Sequence, residues 1–323
     1  MTEPKLSVVL ATDEYATIRA VVERLRSQTI REEIELILVA PAASLIREGL
    51  THRHEFANVQ ILEHDLSNLG APRAAAIRAA HAPLILIGET HTYANPEFAE
   101  AIVAAFAGPW TTVTPSFGNA NPDDGPLSWS AYLSDYGLWG DGLSAGPLER
   151  APIHNTVYRR AALLEFGDRL EAALSRDDEL WRELRSHGHT SYHEPRAKLE
   201  HANVSQPGHW IRERFAIGLQ VSSQRVRRWP MTKRLVYVAA SVLIPVVLVR
   251  RVMPAVRRAA DRDRLPRGTT SLVVLGMVIW GIGELAGYLG FPGALSDRLM
   301  LEYEVRKLAY TDAGADGQEA PLE

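Results

Sequence analysis

Short apolar runs alternate with helix-period segments over the first third of this chain, and that alternation restricts its fold more than any other feature. Leu6-Ser7-Val8-Val9-Leu10 reads as a strand and residues 17–28 as an amphipathic helix. A second strand over 34–39 and a helix over 44–52 follow, then a third strand over 59–62. The alanine-rich segment 71–81 reads as a helix that Pro83 stops. Leu84-Ile85-Leu86-Ile87 opens a fourth strand expected to end at Glu89, with a helix over 96–107 and a strand over 111–114 beyond it. Strand and helix at this spacing imply right-handed βαβ units and a mainly parallel sheet flanked by helices, an α/β fold.

Such sheets place ligands just beyond the carboxyl ends of their strands. Glu89-Thr90-His91 stands at one of those ends. In extended chain, residues two apart point to the same side, so the Glu89 carboxylate and the His91 imidazole could grip one cation.

At 323 residues the chain can bury a full core, and two domains are possible. Its 46% apolar and 23% charged residues are those of a globular protein. A net charge of only −4 gives no global field for nucleic acid, and none is expected as a partner. With no cysteine there is no disulfide framework, thiolate metal site or thiol nucleophile, which suits a reducing compartment. No basic segment followed by an apolar one opens the chain, so no signal peptide is expected.

The averages conceal an asymmetry. Acids concentrate in the first two hundred residues, whereas Arg212, Arg225, Arg227, Arg228, Lys233, Arg234, Arg250, Arg251, Arg257 and Arg258 interleave with the most apolar segments. A mildly acidic domain joined to a basic, membrane-seeking region is the expectation. The apolar stretch 235–249 contains Pro245 and is short for a spanning helix; 271–289 is long enough but carries Glu284 and several glycines. Between them lies an arginine-rich loop. If both stretches crossed as a hairpin, that loop would be on the far side from the first domain, against the positive-inside tendency of a cytoplasmic domain. At least one segment, the first, is therefore expected to lie in the membrane interface without crossing.

Residues 118–152 break the α/β rhythm with Gly, Asn, Pro and Asp, and carry Trp129, Tyr132, Tyr136 and Trp139. They read as a long aromatic loop, either a functional contact or a hydrophobic lid. Ser175-Arg176-Asp177-Asp178 fits a capping box, with Leu180 and Leu184 on one helix face and Gly188 as the C-cap. On that reading Asp177 and Asp178 sit in a helix's first turn, where they would complement its dipole.

In this order the residues resemble a family 2 glycosyltransferase of GT-A fold, over roughly residues 6–203. Ser7-Val8-Val9-Leu10-Ala11-Thr12 is similar to the family's opening strand and nucleotide loop, and Gln28-Thr29 with Glu35-Leu36-Ile37-Leu38-Val39 to its second unit. Arg73-Ala74-Ala75-Ala76-Ile77 with Ala80 resembles its arginine-bearing helix. Asp177-Asp178-Glu179-Leu180, Leu184, Gly188 and Pro195 follow its acidic-helix pattern.

The resemblance implies a GT-A catalytic domain over 1–205; the basic and apolar chain beyond it is read as a helical membrane-associated region over 206–310, and 311–323 as a disordered tail. It puts Glu89-Thr90-His91 on the family's Asp-x-Asp motif, which holds a divalent cation, Mn²⁺ or Mg²⁺, on the donor diphosphate. It makes His201 a further ligand of metal or diphosphate, and Asp177 the general base with Asp178 as the other candidate. Thr12, Glu14 and Arg73 become donor-binding residues. The implied activity is inverting, metal-dependent transfer of one sugar from a nucleotide-sugar donor to a lipid-linked or envelope-polysaccharide acceptor, at the cytoplasmic face of the membrane. Two departures stand out. Ala40-Pro41 replaces paired aspartates that help to hold the base, and His91 stands where a carboxylate is expected. Both suit an alternative, a catalytically silent GT-A-like binding module. Gln224-Arg225-Val226-Arg227-Arg228-Trp229 resembles the "QxxRW" pattern of processive synthases one residue out of register, and is read as a basic interfacial helix. A dinucleotide-binding oxidoreductase is disfavoured, because no Gly-x-Gly-x-x-Gly follows a strand.

Overall fold

The computed structural model describes residues 3–121, 125–175, 177–227 and 229–311, without the side chains of 177–179. Its strands are β1 (Leu6–Ala11), β2 (Ile34–Ala40), β3 (Asn58–Glu63), β4 (Leu84–Ile87), β5 (Thr92–Ala94), β6 (Thr112–Asn119), β7 (Gly146–Leu148), β8 (Val157–Arg159) and β9 (Ser191–His201). The helices are α1 (Tyr15–Arg26), α2 (Ser44–Arg47), α3 (Gly70–Ala79), α4 (Phe98–Ala105), α5 (Pro126–Asp135), α6 (Arg160–Leu164) and α7 (Leu170–Leu174). They continue with α8 (Asp177–Ser186), α9 (Pro207–Val226), α10 (Met231–Ala240), α11 (Ile244–Arg262), α12 (Thr269–Leu289) and α13 (Ala294–Arg306).

The chain divides into two units, one made of Met1–Gly118 and Leu143–Glu200, the other of Asn119–Gly142 and the chain from His201 on. The first is built on a mixed sheet of order β3-β2-β1-β4-β8-β6-β9-β5, with β7 beside β9. Its first four strands are parallel, as the alternating pattern requires, and β8 runs antiparallel to both β4 and β6. β1 and β2 are buried along their whole length, which is why they read as continuous apolar runs. One face of the sheet packs Val9, Ile37, Ile85 and Ile87 against Ile77, Leu163, Leu170, Leu180 and Leu184 from the covering helices.

Several boundaries differ from the sequence expectation. β4 ends at Ile87, because residues 90–91 turn the chain into β5. The second helix is a single turn, after which residues 49–52 leave the helical path. The segment read as an aromatic loop holds a ten-residue helix, α5, opened by Pro126 at its first turn. Tyr132, Tyr136 and Trp139 are buried core residues, whereas Trp129 is only half-buried. At the end of α7 the Ser175 hydroxyl donates back to the Glu171 carbonyl at 2.9 Å; the rest of the expected capping box lies outside the described side chains. Gly188 does take the left-handed φ of +84° that ends α8. β9 is eleven residues long and was hidden by Pro195, a residue that marks breaks more often than strands.

Gln28 and Thr29, two residues of the family resemblance, are scaffold. The Gln28 amide donates to the Asn95 carbonyl at 2.8 Å and accepts from the Ala99 N–H at 2.9 Å, while the Thr29 N–H donates to the Pro96 carbonyl. They fasten the end of α1 to the start of α4.

The second unit is helical. Trp210, Tyr303, Ala131 and Val204 form its centre, with Leu272, Ile279 and Leu299 packed around them. α9 and α12 approach until backbones touch: a Cβ on Gly218 would lie 2.1 Å from the Trp280 carbonyl oxygen, and one on Gly283 would lie 2.2 Å from that of Phe215. Arg214 of α9 is fully buried and donates to both Asp135 and Glu213.

Candidate active site

The register of the parallel strands fixes which residues share the ligand end. Val9 pairs with Ile87 and Ala11 with Val39, so Thr12, Ala40-Pro41 and Gly88-Glu89 emerge side by side from β1, β2 and β4. Thr12 continues the ladder by donating its N–H to the Val39 carbonyl at 2.9 Å, and its hydroxyl donates to the Glu14 carbonyl at 2.8 Å. Thr12 is buried and Glu14 exposed. α3 begins at the same end of the sheet because it is the crossover into β4. The Asn68 side chain accepts the Ala71 N–H at 3.1 Å, and Arg73 sits buried in the first turn. Three of the sequence-derived donor residues are thus brought to one end of the sheet.

Glu89 is 5% exposed and anchored from one side. The Asn155 amide donates to its Oε2, and the Thr92 hydroxyl donates to the same oxygen at 3.2 Å. Asn155 holds the left-handed φ of 59° that Asn tolerates better than most residues, and its N–H donates to the Ile87 carbonyl at 2.7 Å. So the segment before β8 supplies both a backbone clamp on the end of β4 and a side-chain clamp on its carboxylate. His91 is fully buried, and its Nδ1 lies 3.2 Å from the Thr90 hydroxyl.

Glu89 Oε2 and His91 Nε2 stand 3.7 Å apart. That is too long for a good hydrogen bond. Two atoms each about 2.1 Å from one cation can be separated by up to roughly 4.2 Å. The pair therefore fits a shared divalent ion. The two come together through a turn and not through extended chain, which corrects the geometry expected from their spacing though not the pairing itself.

Of the remaining sequence-derived residues, His201 ends β9 at the start of the second unit. Its Nδ1 lies 2.9 Å from the Asn203 side-chain oxygen. The Asn203 amide nitrogen donates to the His201 carbonyl at 2.8 Å and to Asn119 at 2.9 Å, so its oxygen is the acceptor. Nδ1 therefore carries the proton and Nε2 the lone pair, the tautomer that binds a metal or accepts from a phosphate hydroxyl. Tyr136 lies against the ring at 4.3 Å. Asp177 and Asp178 open α8, as expected; their side chains lie outside the described residues.

Asn155 and Thr92 escaped the sequence reading. Neither belongs to a periodic pattern, and a lone Asn in a Gly- and Pro-rich segment signals a turn more often than a ligand anchor.

No protein-family model matches this chain, and no curated protein matches its sequence. Solved structures do resemble it. TarS of S. aureus aligns over 87% of this chain at 15% identity and a TM-score of 0.44, and this chain spans 55% of the TarS chain. Residues 1–349 of TarS in complex with UDP align over 89% of this chain and 92% of that one, at 16% identity and a TM-score of 0.44. A mannosyltransferase, PcManGT from Pyrobaculum calidifontis, in complex with GDP-Man and Mn²⁺, aligns over 94% of this chain and 88% of that one, at 14% identity and a TM-score of 0.49. The α/β assignment rests on this chain's own strand order and register.

Proposed function

We propose that this chain is a glycosyltransferase that moves a sugar from a nucleotide-sugar donor to a lipid-linked or envelope-polysaccharide acceptor, with inversion, using Mn²⁺ or Mg²⁺. One observation carries the reading. A buried carboxylate, Glu89, is clamped by Asn155 and Thr92 beyond the end of β4, with an imidazole nitrogen 3.7 Å away, where a parallel sheet presents its ligands. The neighbouring structures bind UDP, or GDP-Man with Mn²⁺. That chemistry agrees with the family resemblance of the Arg73 helix and of α8.

Glu89 and His91 would hold the cation, with His201 as the further ligand that the resemblance implies. One hard and one borderline donor suit Mn²⁺ better than Mg²⁺. When bound, the cation supplies electrostatic stabilisation of a departing nucleoside diphosphate. Arg73, in the first turn of α3, faces the same task with a fixed positive charge, and the helix terminus adds its N–H groups. Thr12 and Glu14 meet the nucleoside. Asp177 removes the proton from the acceptor hydroxyl as it attacks the anomeric carbon, with Asp178, about 100° round the helix, as the other candidate. The acceptor is met at the cytoplasmic face of the membrane.

The test is a panel of UDP-, GDP- and dTDP-sugars incubated with the protein and Mn²⁺, read as nucleoside diphosphate release. Release from one donor is expected, abolished in Glu89→Ala and lowered roughly 10²–10⁴-fold in Asp177→Asn. Activity retained in either variant removes that residue's role. His91 and Ala40-Pro41, where the family carries carboxylates, favour a second reading, a silent GT-A-like module at the membrane. No release from any donor, with no thermal shift from Mn²⁺ plus UDP, would select it.

A further inference from the structure

Two stretches, Met231–Arg262 and Thr269–Leu289, are long and apolar enough to cross a membrane by length and composition. Their surroundings separate them. Half of the apolar window of the second is buried, against 17% of that of the first.

α12 is the inner helix of the second unit. It lies along α9 with backbone touching backbone at Gly218 and Gly283, and packs on α5 as well. Were α12 in hydrocarbon, α9 would have to enter with it, carrying Arg212, Gln220, Gln224 and Arg227, none of them buried. Glu284, in the last third of α12, accepts from Arg225 at 3.0 Å, Tyr288 at 2.8 Å and Trp280 at 3.0 Å. Its needs are met inside the unit.

α10 and the first turns of α11 are different. They meet at a 3-10 turn, Ser241–Leu243, next to Pro245. Around that elbow Met231, Leu235, Val236, Val242, Leu243 and Val246 are exposed, Val242 at 77%. Beyond it α11 is docked, with Leu248, Val252, Ala255, Val256 and Ala259 buried and Arg258 donating to the Gly137 carbonyl at 2.6 Å. The exposed apolar residues are bordered by cations, Lys233 on one side and Arg250, Arg251 and Arg257 on the other, all exposed. Trp229 stacks on Tyr288 at 5.8 Å and lies 4.5 Å from Tyr237, with Lys233 4.3 Å above its ring. An aromatic cluster between apolar and cationic surface is the arrangement that sits at a membrane–water boundary.

We propose that the elbow formed by α10 and the start of α11 is a monotopic anchor seated in one leaflet of an anionic bilayer, and that neither apolar helix crosses. The apolar side chains enter the acyl boundary while Lys233, Arg250, Arg251 and Arg257 meet lipid phosphates. The aspartates nearby, Asp261 and Asp263, lie on the far end of α11, with Asp263 beside Arg262. The proposal deepens the membrane placement in the functional reading and rests on that reading only for which leaflet is occupied. It is tested without any donor or acceptor.

Vesicles of phosphatidylcholine alone, and of phosphatidylcholine with phosphatidylglycerol at three to one, are floated with the full-length protein. Binding to the anionic vesicles is expected, falling with salt. It should drop roughly tenfold or more in the double variant Val242→Glu/Leu243→Glu, whose side chains lie outside the folded core. Arg250→Ser/Arg251→Ser should remove much of the salt-sensitive part. Because the chain has no cysteine, Ser27→Cys and Arg267→Cys report topology. In inside-out membranes both should react with an impermeant maleimide. Protection of the Arg267→Cys thiol alone would mean a crossing hairpin and would overturn the proposal. So would undiminished binding by the Val242→Glu/Leu243→Glu variant. A wild-type dimer in solution that becomes monomeric in that variant would give the face to a second copy instead. Nucleotide-sugar turnover can fail while vesicle binding holds, so the two readings stand or fall separately.

Discussion

The amide of Asn155 donates to the carboxylate of Glu89, joining the segment before β8 to the chain just beyond β4 in a buried contact. The contact depends on backbone as well as side chain, since Asn155 sits at a φ of 59°. The two contributions can be separated. Asn155→Gly keeps the left-handed conformation and deletes only the amide, whereas Asn155→Ala also strains the backbone. We expect Asn155→Gly to melt near the wild type yet to bind Mn²⁺ about 10–100-fold more weakly by calorimetry, as loss of an outer hydrogen bond to a ligating carboxylate does. Asn155→Ala should lose both. Unchanged Mn²⁺ affinity in the glycine variant would leave Asn155 a turn residue only.

Glu35 makes a pH prediction. Its buried carboxylate lies at the start of β2, between β1 and β3, and accepts from Ser7 at 2.5 Å, Asn58 at 2.9 Å, Gln60 at 2.8 Å, and the backbone and ring of His81 at 2.8 and 2.6 Å. Burial pushes its pKa up, but the hydrogen bonds from Ser7, His81 and Asn58 outweigh that and hold it at about 2. A depressed folded pKa contributes stability that is complete above the unfolded value and is lost as pH falls through the folded one. Against an ordinary value of 4.5, the contribution is on the order of 3 kcal/mol. Urea unfolding of the wild type should therefore weaken from about pH 5 downward, and Glu35→Gln should flatten that limb. Parallel pH curves for the two proteins would show that other carboxylates govern it.

Much of this was readable in the chain. β1, β2 and β4 are buried on both faces and therefore apolar throughout, so their runs mark themselves. Glu89 and His91 were found because they follow such a run directly. What stayed hidden has one physical character: it depends on residues far apart in sequence. Asn155 reaches Glu89 across sixty-six positions, and no spacing rule connects them. The aromatic segment looked like a loop because Gly and Pro punctuate it, yet Tyr132, Tyr136 and Trp139 are buried, a fact of tertiary packing. Hydropathy made 271–289 long enough to span, but hydropathy does not distinguish lipid from a neighbouring helix, and half of that window is buried within the protein.

The Asn203 oxygen sets the His201 tautomer, and that is directly observable. In the wild type, ¹⁵N spectra of the neutral His201 ring should show a protonated Nδ1 and an unprotonated Nε2. Asn203→Ala removes the acceptor, and the population should shift toward the Nε2–H form that predominates for unconstrained imidazole. If His201 ligates the cation, the same variant should weaken Mn²⁺ binding roughly tenfold. An unshifted tautomer would mean that another group holds Nδ1.

The contact between α9 and α12 predicts opposite outcomes for two glycines. A Cβ on Gly283 would lie 2.2 Å from the Phe215 carbonyl oxygen and 3.0 Å from the Leu219 nitrogen. Those are backbone atoms, which cannot swing away, so Gly283→Ala must push the helices apart. That separation would also pull on Arg214, whose guanidinium is buried between Asp135 and Glu213. The cost should be about 1–3 kcal/mol or more, and the second unit's melting temperature should fall by several degrees. Gly208, in the first turn of α9, has nothing within 4 Å of its would-be Cβ and an ordinary φ. Gly208→Ala should raise stability by roughly 0.4–1 kcal/mol through the unfolded chain. If both variants melt alike, α9 and α12 are not in backbone contact, and α12 is free to enter a bilayer without α9.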